Sequence, residues 1–279
     1  MASNHDAVRE KVKKFYEDRR TGLIGDEGYL INLNDNLVLV KGKKAEPILK
    51  RQGFGQSILG TNDRRVEIAE PEMYPWRMIC SLEMMSASGN RYLGTGWIAG
   101  PKLIITAAHC VYDKSDGGWV TSVKVFPGRS ETTSPEKFFT STNFRAPKKW
   151  VDDEDENCDY GAILLEEDIG SILGYFSIGC QSDDFLTNSM VNISGYPGSR
   201  AGEIQLHHAN RILKVSSSKI YYDVDTEGGQ SGSPIWVYEE ENHIPMVVGV
   251  HSSGTGKASL GNSGVRITTE TLAFIDALK

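Results

Sequence analysis

Long apolar runs are missing from this 279-residue chain. No stretch of 18 consecutive apolar residues occurs, so no helix is expected to span a membrane. Proline is scarce, at 10 residues against 29 glycines, and cysteine is scarcer, at four. Cys80, Cys110, Cys158 and Cys180 form no Cys-x-x-Cys pair, which argues against a structural zinc site. Their even number fits two disulfides or four buried thiols equally well. Met1 to Glu10 has no apolar core followed by a small-residue cleavage site, so no secretory signal is expected there. The chain then stays inside a cell, or a signal lies outside this sequence.

Positive charge is also in short supply. The formal net charge is −7, and it divides unevenly. Residues 1–56 hold 11 Lys and Arg against 8 Asp and Glu, while residues 57–279 hold 19 against 29. A body that acidic repels a phosphate backbone, which excludes nucleic acid as a natural partner. The opposite signs suit a short basic segment that docks on the body.

What the chain does have is a change of pattern near residue 57. Before it, Val8, Val12, Phe15 and Tyr16 share one helical face within 6–18, and Tyr29–Ile31 and Leu37–Val40 flank a polar turn. Gly53–Gln56 reads as a junction. After it come short apolar runs separated by Gly, Pro, Asn and Asp. They are Arg77–Leu82, Leu103–Thr106, Ser122–Phe126, Tyr160–Leu165, Val191–Gly195, Ile220–Val224, Pro234–Val237 and Pro245–Val250. Many short strands at such spacing indicate an all-β sandwich or barrel. A closing helix is expected over Thr269–Lys279, with Leu272, Ile275 and Leu278 on one face. The acidic run Asp152–Glu156 reads as a solvated loop, with a structural calcium ion as the minority reading.

Three segments carry chemistry. Ile104–Cys110 is an apolar strand that ends in small residues and presents His109. Asn157–Leu165 sets Asp159 just before an apolar strand, and Gly228–Pro234 sets Ser231 in a glycine-flanked turn. A serine hydroxyl is a weak nucleophile until an imidazole takes its proton. The imidazole in turn needs a carboxylate on its other nitrogen to fix tautomer and orientation. Glycines beside the serine let the Gly229 and Ser231 backbone N–H groups meet a developing oxyanion, worth roughly 3–4 kcal/mol per donor in comparable sites. Each segment alone has an ordinary explanation, as a core histidine, a turn aspartate or a tight turn. Their occurrence in the order His, Asp, Ser within an all-β pattern points to a triad. His5, His207, His208 and His243 read as surface or packing residues.

From about Ser57 onward the sequence resembles the glutamyl endopeptidases, a bacterial branch of the chymotrypsin-like serine proteases. The resemblance rests on Ser57–Arg64, Thr106–Cys110, Asp159–Ala162, Ser194–Gly198, Asp225–Pro234 and Val250–His251, in family order. It implies two six-stranded antiparallel β-barrels over 57–279, with a C-terminal helix and the triad in the cleft between them. Residues 1–56 then form an α+β propeptide-like segment. The implied reaction is cleavage of protein or peptide substrates after Glu, less readily after Asp, with no cofactor. The implied carboxylate recognition falls to His251, Thr226 and a freed Ser57 amine, while Ser252 to Gly254 pair with substrate backbone. Secretion is implied as well. Only Cys110 sits where relatives of the wider fold carry a disulfide, with Cys80 as a candidate partner.

Two residues depart from a simple transfer. Asp225 stands where proteases that cut after Arg or Lys keep their pocket carboxylate, so basic specificity is the alternative. Gln230 replaces the aspartate that pairs with a new N-terminal amine in chymotrypsin-like zymogens. A cut at Gln56–Ser57 by an activating protease would then complete the pocket instead. A catalytically silent binding module that keeps only the fold is the rival from another class.

Overall fold

The computed structural model describes residues 58–59, 62–130, 138–238, 244–254 and 261–279. The helix and hairpin expected within 1–56 lie outside these residues, as does Ser57. The expected strands form within a few residues of their expected limits, and two barrels result.

The first barrel uses β2 (Ile79–Met85), β3 (Arg91–Gly100), β4 (Leu103–Thr106), β7 (Ser122–Pro127), β8 (Phe139–Ser141), β9 (Phe144–Arg145) and β10 (Gly161–Leu164). Its pairing order is β8-β7-β2-β3-β4-β10-β9. Only Thr142 and Asn143 separate β8 from β9, and these two short strands act as halves of one bent strand. One half pairs with β7 and the other with β10, and Leu164 N–H donates to Asn143 O at 3.0 Å. Six strands thereby curl round a core of Leu82, Ile98, Ile104, Val123, Val125 and Ile163.

The second barrel uses β12 (Met190–Gly195), β13 (Leu206–Val215), β14 (Lys219–Tyr222), β15 (Pro234–Tyr238), β16 (Pro245–Gly254) and β17 (Asn262–Arg266). The order β13-β12-β15-β16-β17-β14 closes because β14 also pairs with β13. Val191, Ile193, Ile220, Tyr222, Ile235 and Val248 fill it. Closure gives each of these six strands a neighbour on both sides over part of its length. Four short strands lie outside the two rings: β1 (Val66–Glu67), antiparallel to β13; β5 (Tyr112–Asp113) and β6 (Gly118–Trp119), paired with each other; and β11 (Ser177–Ile178), parallel to β16.

A third apolar cluster joins the barrels. Trp97, Tyr160, Tyr196, Trp236, Val247 and Ile275 meet there, all less than one tenth exposed. Ile275 belongs to the closing helix, Thr269–Asp276, whose N-cap Thr268 accepts a hydrogen bond from Thr271 N–H. Such a cap contributes about 1 kcal/mol.

All four cysteines are free, which settles the disulfide question against pairing. Cys80 and Cys110 are buried in the first barrel, Cys158 is half-buried and Cys180 is exposed, so the four-buried-thiol reading is corrected for the last two. Within the acidic run, Asp152 pairs with Lys148 and Glu156 with Lys219.

Candidate active site

Strand register brings the base and its carboxylate together. β4 and β10 pair with Gly161 opposite Thr106. His109 follows Thr106 by three residues, in a one-turn helix α1 (Ala108–Val111), and Asp159 precedes Gly161 by two. A side chain at 161 would put its Cβ 2.9 Å from Val111 Cγ2 and 3.1 Å from Ala108 Cα, so glycine permits this approach. Asp159 is 3% exposed. Its Oδ1 accepts from His109 N–H at 3.0 Å and its Oδ2 lies 2.8 Å from His109 Nδ1. With Nδ1 donating to the carboxylate, Nε2 keeps the lone pair a general base needs. Burial opposes a charge on His109, but the Asp159 carboxylate outweighs it and raises the imidazole pKa above its ordinary value.

The nucleophile turn presses directly on that assembly. Gly232 has φ +89°, and a Cβ there would fall 2.1 Å from Thr95 O and 2.8 Å from Ala107 N. Only glycine serves at this point. Thr95 N–H donates to Ser231 O at 2.9 Å, and Thr95 Oγ1 to Gly229 O at 2.9 Å. Gly232 N–H donates to His251 O at 2.7 Å, and the Cys110 thiol lies 3.8 Å from Ser231 O. The turn that bears Ser231 is thus seated on the turn that bears His109. Among the described residues, neither Gly229 N–H nor Ser231 N–H donates a hydrogen bond. Both donors are unspent, as an oxyanion site requires.

The residues expected to form the substrate recess, Thr226 and His251, lie after β14 and on β16 of the second barrel. Thr226 and His251 are 2% and 3% exposed. Tyr222 Oη stands 2.6 Å from His251 Nδ1. Burial lowers the His251 pKa to about 4, so the ring is neutral at neutral pH. β15 pairs with β16 only as far as Val250, and a bulge between His251 and Ser253 leaves Ser252 as the extra residue. Ser252 and Gly254 therefore lie on a stretch that pairs with β17 on one side only. The Ser252 hydroxyl is buried and without a partner among the described residues.

Asp225 has a different fate from the one basic specificity needs. Its side chain is fully buried. Oδ1 accepts from Leu59 N–H at 2.8 Å and Arg64 Nη2 at 2.9 Å; Oδ2 accepts from Arg64 N–H and Nε at 2.9 and 3.0 Å. Burial alone would raise its pKa, yet the Arg64 hydrogen bonds hold it below the usual carboxylate value. The charge is already answered from within the chain, which argues against Asp225 as a receptor for substrate Arg or Lys.

Sequence reading missed several participants. Tyr222 was only a strand residue there, and nothing in its spacing marks it as the partner of His251. His208, taken as a surface or packing residue, accepts the Asp225 N–H at 2.8 Å. His207, in keeping with its packing reading, is half-buried against Trp76 and Trp236, with ring centroids at 5.0 and 6.3 Å. Arg65 contacts the residue before the nucleophile. Among the described residues, no three His, Cys, Asp or Glu side chains are grouped to hold a metal ion.

The trypsin family model matches residues 65–275. A glutamyl endopeptidase of Bacillus licheniformis is 37% identical over 218 residues, covering 77% of this chain and 66% of that protein. An extracellular metalloprotease of Bacillus subtilis is 29% identical over 216 residues, covering 77% and 67%. The chain thus spans about two thirds of the length of these curated relatives. A solved structure of a Glu endopeptidase in complex with MPD superposes with a TM-score of 0.69 at 26% identity, covering 79% of this chain and 98% of that one.

Proposed function

The chain belongs to the trypsin family, and from that membership we propose that it is a serine endopeptidase that cleaves after acidic residues, chiefly glutamate. The observation that carries the acyl-transfer half is the double hold of Asp159 on His109, beside two unspent amides at Gly229 and Ser231. His109 Nε2 takes the Ser231 hydroxyl proton as Oγ attacks the substrate carbonyl. Gly229 and Ser231 N–H stabilise the resulting oxyanion. His109 then gives the proton to the leaving amine, and water, activated by the same ring, hydrolyses the acyl-enzyme.

Glutamate specificity rests on the charge balance of the recess. Asp225 is buried and hydrogen-bonded by Arg64, which also pairs with Asp223, so neither carboxylate is left without a partner to repel a substrate carboxylate. Tyr222 has one hydroxyl proton and no other partner than His251 Nδ1 among the described residues. In this reading Tyr222 donates to Nδ1, and His251 Nε2–H is the ring's one donor, shared between the Ser263 carbonyl and a substrate carboxylate. The Thr226 hydroxyl is the second donor in this reading. Ser252 and Gly254 hold substrate backbone as an added strand.

The third donor in this proposal is the Ser57 amine, freed when residues 1–56 are removed by an activating protease. Leu59 N–H is bound to Asp225, the neighbour of Thr226. Two residues of extended chain span about 7 Å, enough for a freed amine to reach the Thr226 end of the recess. Likeness to an extracellular relative supports secretion.

Cleavage-site profiling of the processed chain on a peptide library tests this reading. Cuts after Glu, absent in Ser231→Ala, support it. Cuts only after Arg or Lys would overturn the specificity. Equal inertness of processed wild type and Ser231→Ala would favour the binding module.

A further inference from the structure

Gln230, immediately before the nucleophile, is where an aspartate would receive a free amine in a conventional zymogen. The side chain that meets it is Arg65. Arg65 Nη1 donates to Gln230 Oε1 at 2.7 Å, and Nη2 donates to Glu227 Oε2 at 2.8 Å. The guanidinium is 2% exposed and Glu227 is 7% exposed. Its outer face is closed by Asp63, with Nε and Nη2 at 2.9 and 2.7 Å from the two carboxylate oxygens. The backbone of Arg65 cannot drift, because the next residue begins β1, with Val66 opposite His207 and Glu67 opposite Leu206.

The turn answers in kind. Glu227 N–H donates to the same Gln230 Oε1 at 3.0 Å, and Gln230 N–H donates to Glu227 O at 3.0 Å. From the far side, Ser199 N–H and Oγ bind the two Glu227 oxygens at 3.0 and 2.8 Å, and Gly198 N–H donates to Gly228 O at 2.7 Å. Residues 227–230, which include one oxyanion amide and lead into the other, are clamped between Arg65 and the 198–199 turn.

We infer that Arg65 is the positioning residue of the oxyanion turn, an internal cation that does permanently what a released amine does where position 230 is acidic. A planar guanidinium suits the task because its rigid fork donates to Gln230, Glu227 and Asp63 together, whereas an ammonium's three donors sit on a flexible stem. Ordering of the turn is thereby independent of any cut at residue 57, and such a cut alters the specificity recess alone. The inference rests on Ser231 acting as the nucleophile.

The test compares processed wild type with Arg65→Gln, Arg65→Lys and Glu227→Gln. For each, kcat and KM are measured on a Glu-containing peptide anilide. Inhibition is measured with a peptide boronate, which forms the tetrahedral adduct, and with the acid product peptide, which does not. Arg65→Gln should lower kcat about 100-fold, the scale of one oxyanion donor, with KM changed less than threefold. Boronate affinity should fall in step with kcat while product affinity holds, and Arg65→Lys should recover part of the loss. If Arg65→Gln does not fold, Glu227→Gln must show the same split. Full kcat in Arg65→Gln, or equal losses for boronate and product, overturns the inference. Wild type no more active than Ser231→Ala would overturn the protease reading itself.

Discussion

Tyr222 Oη lies 2.6 Å from His251 Nδ1, and both side chains are buried in the second barrel. The contact joins β14 to β16 across β17, which pairs with both. It holds the His251 ring in place, and in the proposed tautomer Tyr222 is the donor to Nδ1. Tyr222→Phe removes the hydroxyl and leaves Nδ1 unsatisfied, at a cost of about 1–3 kcal/mol. KM for Glu substrates should rise about tenfold, with kcat on substrates lacking an acidic side chain unchanged. Steady-state kinetics on a matched Glu and Gln peptide pair checks this.

Asp159→Asn should lower kcat by about 10⁴-fold, as loss of the orienting carboxylate leaves the wrong tautomer. The pH profile gives a second readout. Activity needs neutral His109, whose pKa is raised by Asp159 above the ordinary value. The acidic limb of kcat/KM should therefore lie above pH 6.5 in wild type. Removing the negative charge withdraws support from the imidazolium, so the limb should move down in Asp159→Asn.

Arg64→Gln should weaken Glu recognition without touching the triad. Arg64 is about one third exposed, but the Asp225 side chain it neutralises is fully buried. Without it, the carboxylate keeps only backbone donors and sits uncompensated next to Thr226. We expect KM for Glu substrates to rise severalfold, with kcat conserved and stability lower by about 1–3 kcal/mol in urea titrations. Asp225→Asn, which removes the charge itself, should show the smaller KM effect.

Acid should destabilise the fold through two neutral histidines. Burial depresses the pKa of His207 and of His251 to about 4, below the 6.5 of an unfolded chain. Between these values the unfolded chain binds more protons, so stability rises with pH. The contribution is complete above pH 6.5 and is lost as pH falls through 4, at most roughly 3 kcal/mol per ring. His207→Gln should flatten the change in urea midpoint between pH 7 and pH 4.5.

The strands were legible because period, length and turn residues agree over each run, as Leu103–Thr106 shows by matching its expected limits. Trp97 and Trp236 could be placed only by packing, since the cluster they share joins both barrels. His109, Asp159 and Ser231 were legible from their local settings, in a strand end, a strand start and a glycine turn. Arg64 and Arg65 were not. Two adjacent exposed-looking cations carry no local sign that one will meet Asp225 and the other Gln230, over 160 residues away.

By itself, then, the sequence determined an all-β body and the candidates for nucleophile, base and orienting carboxylate, because these depend on short-range pattern and residue chemistry. The tertiary structure alone decided which charges are spent. Asp225 could have been an open anion for a basic substrate, and Gln230 an uncompensated gap. Closure of the second barrel and the pairing of β1 with β13 instead bring Arg64 and Arg65 beneath the Ser231 turn. Electrostatics acts over ångströms in space and is blind to separation along the chain, so that outcome could not be read before the fold was known.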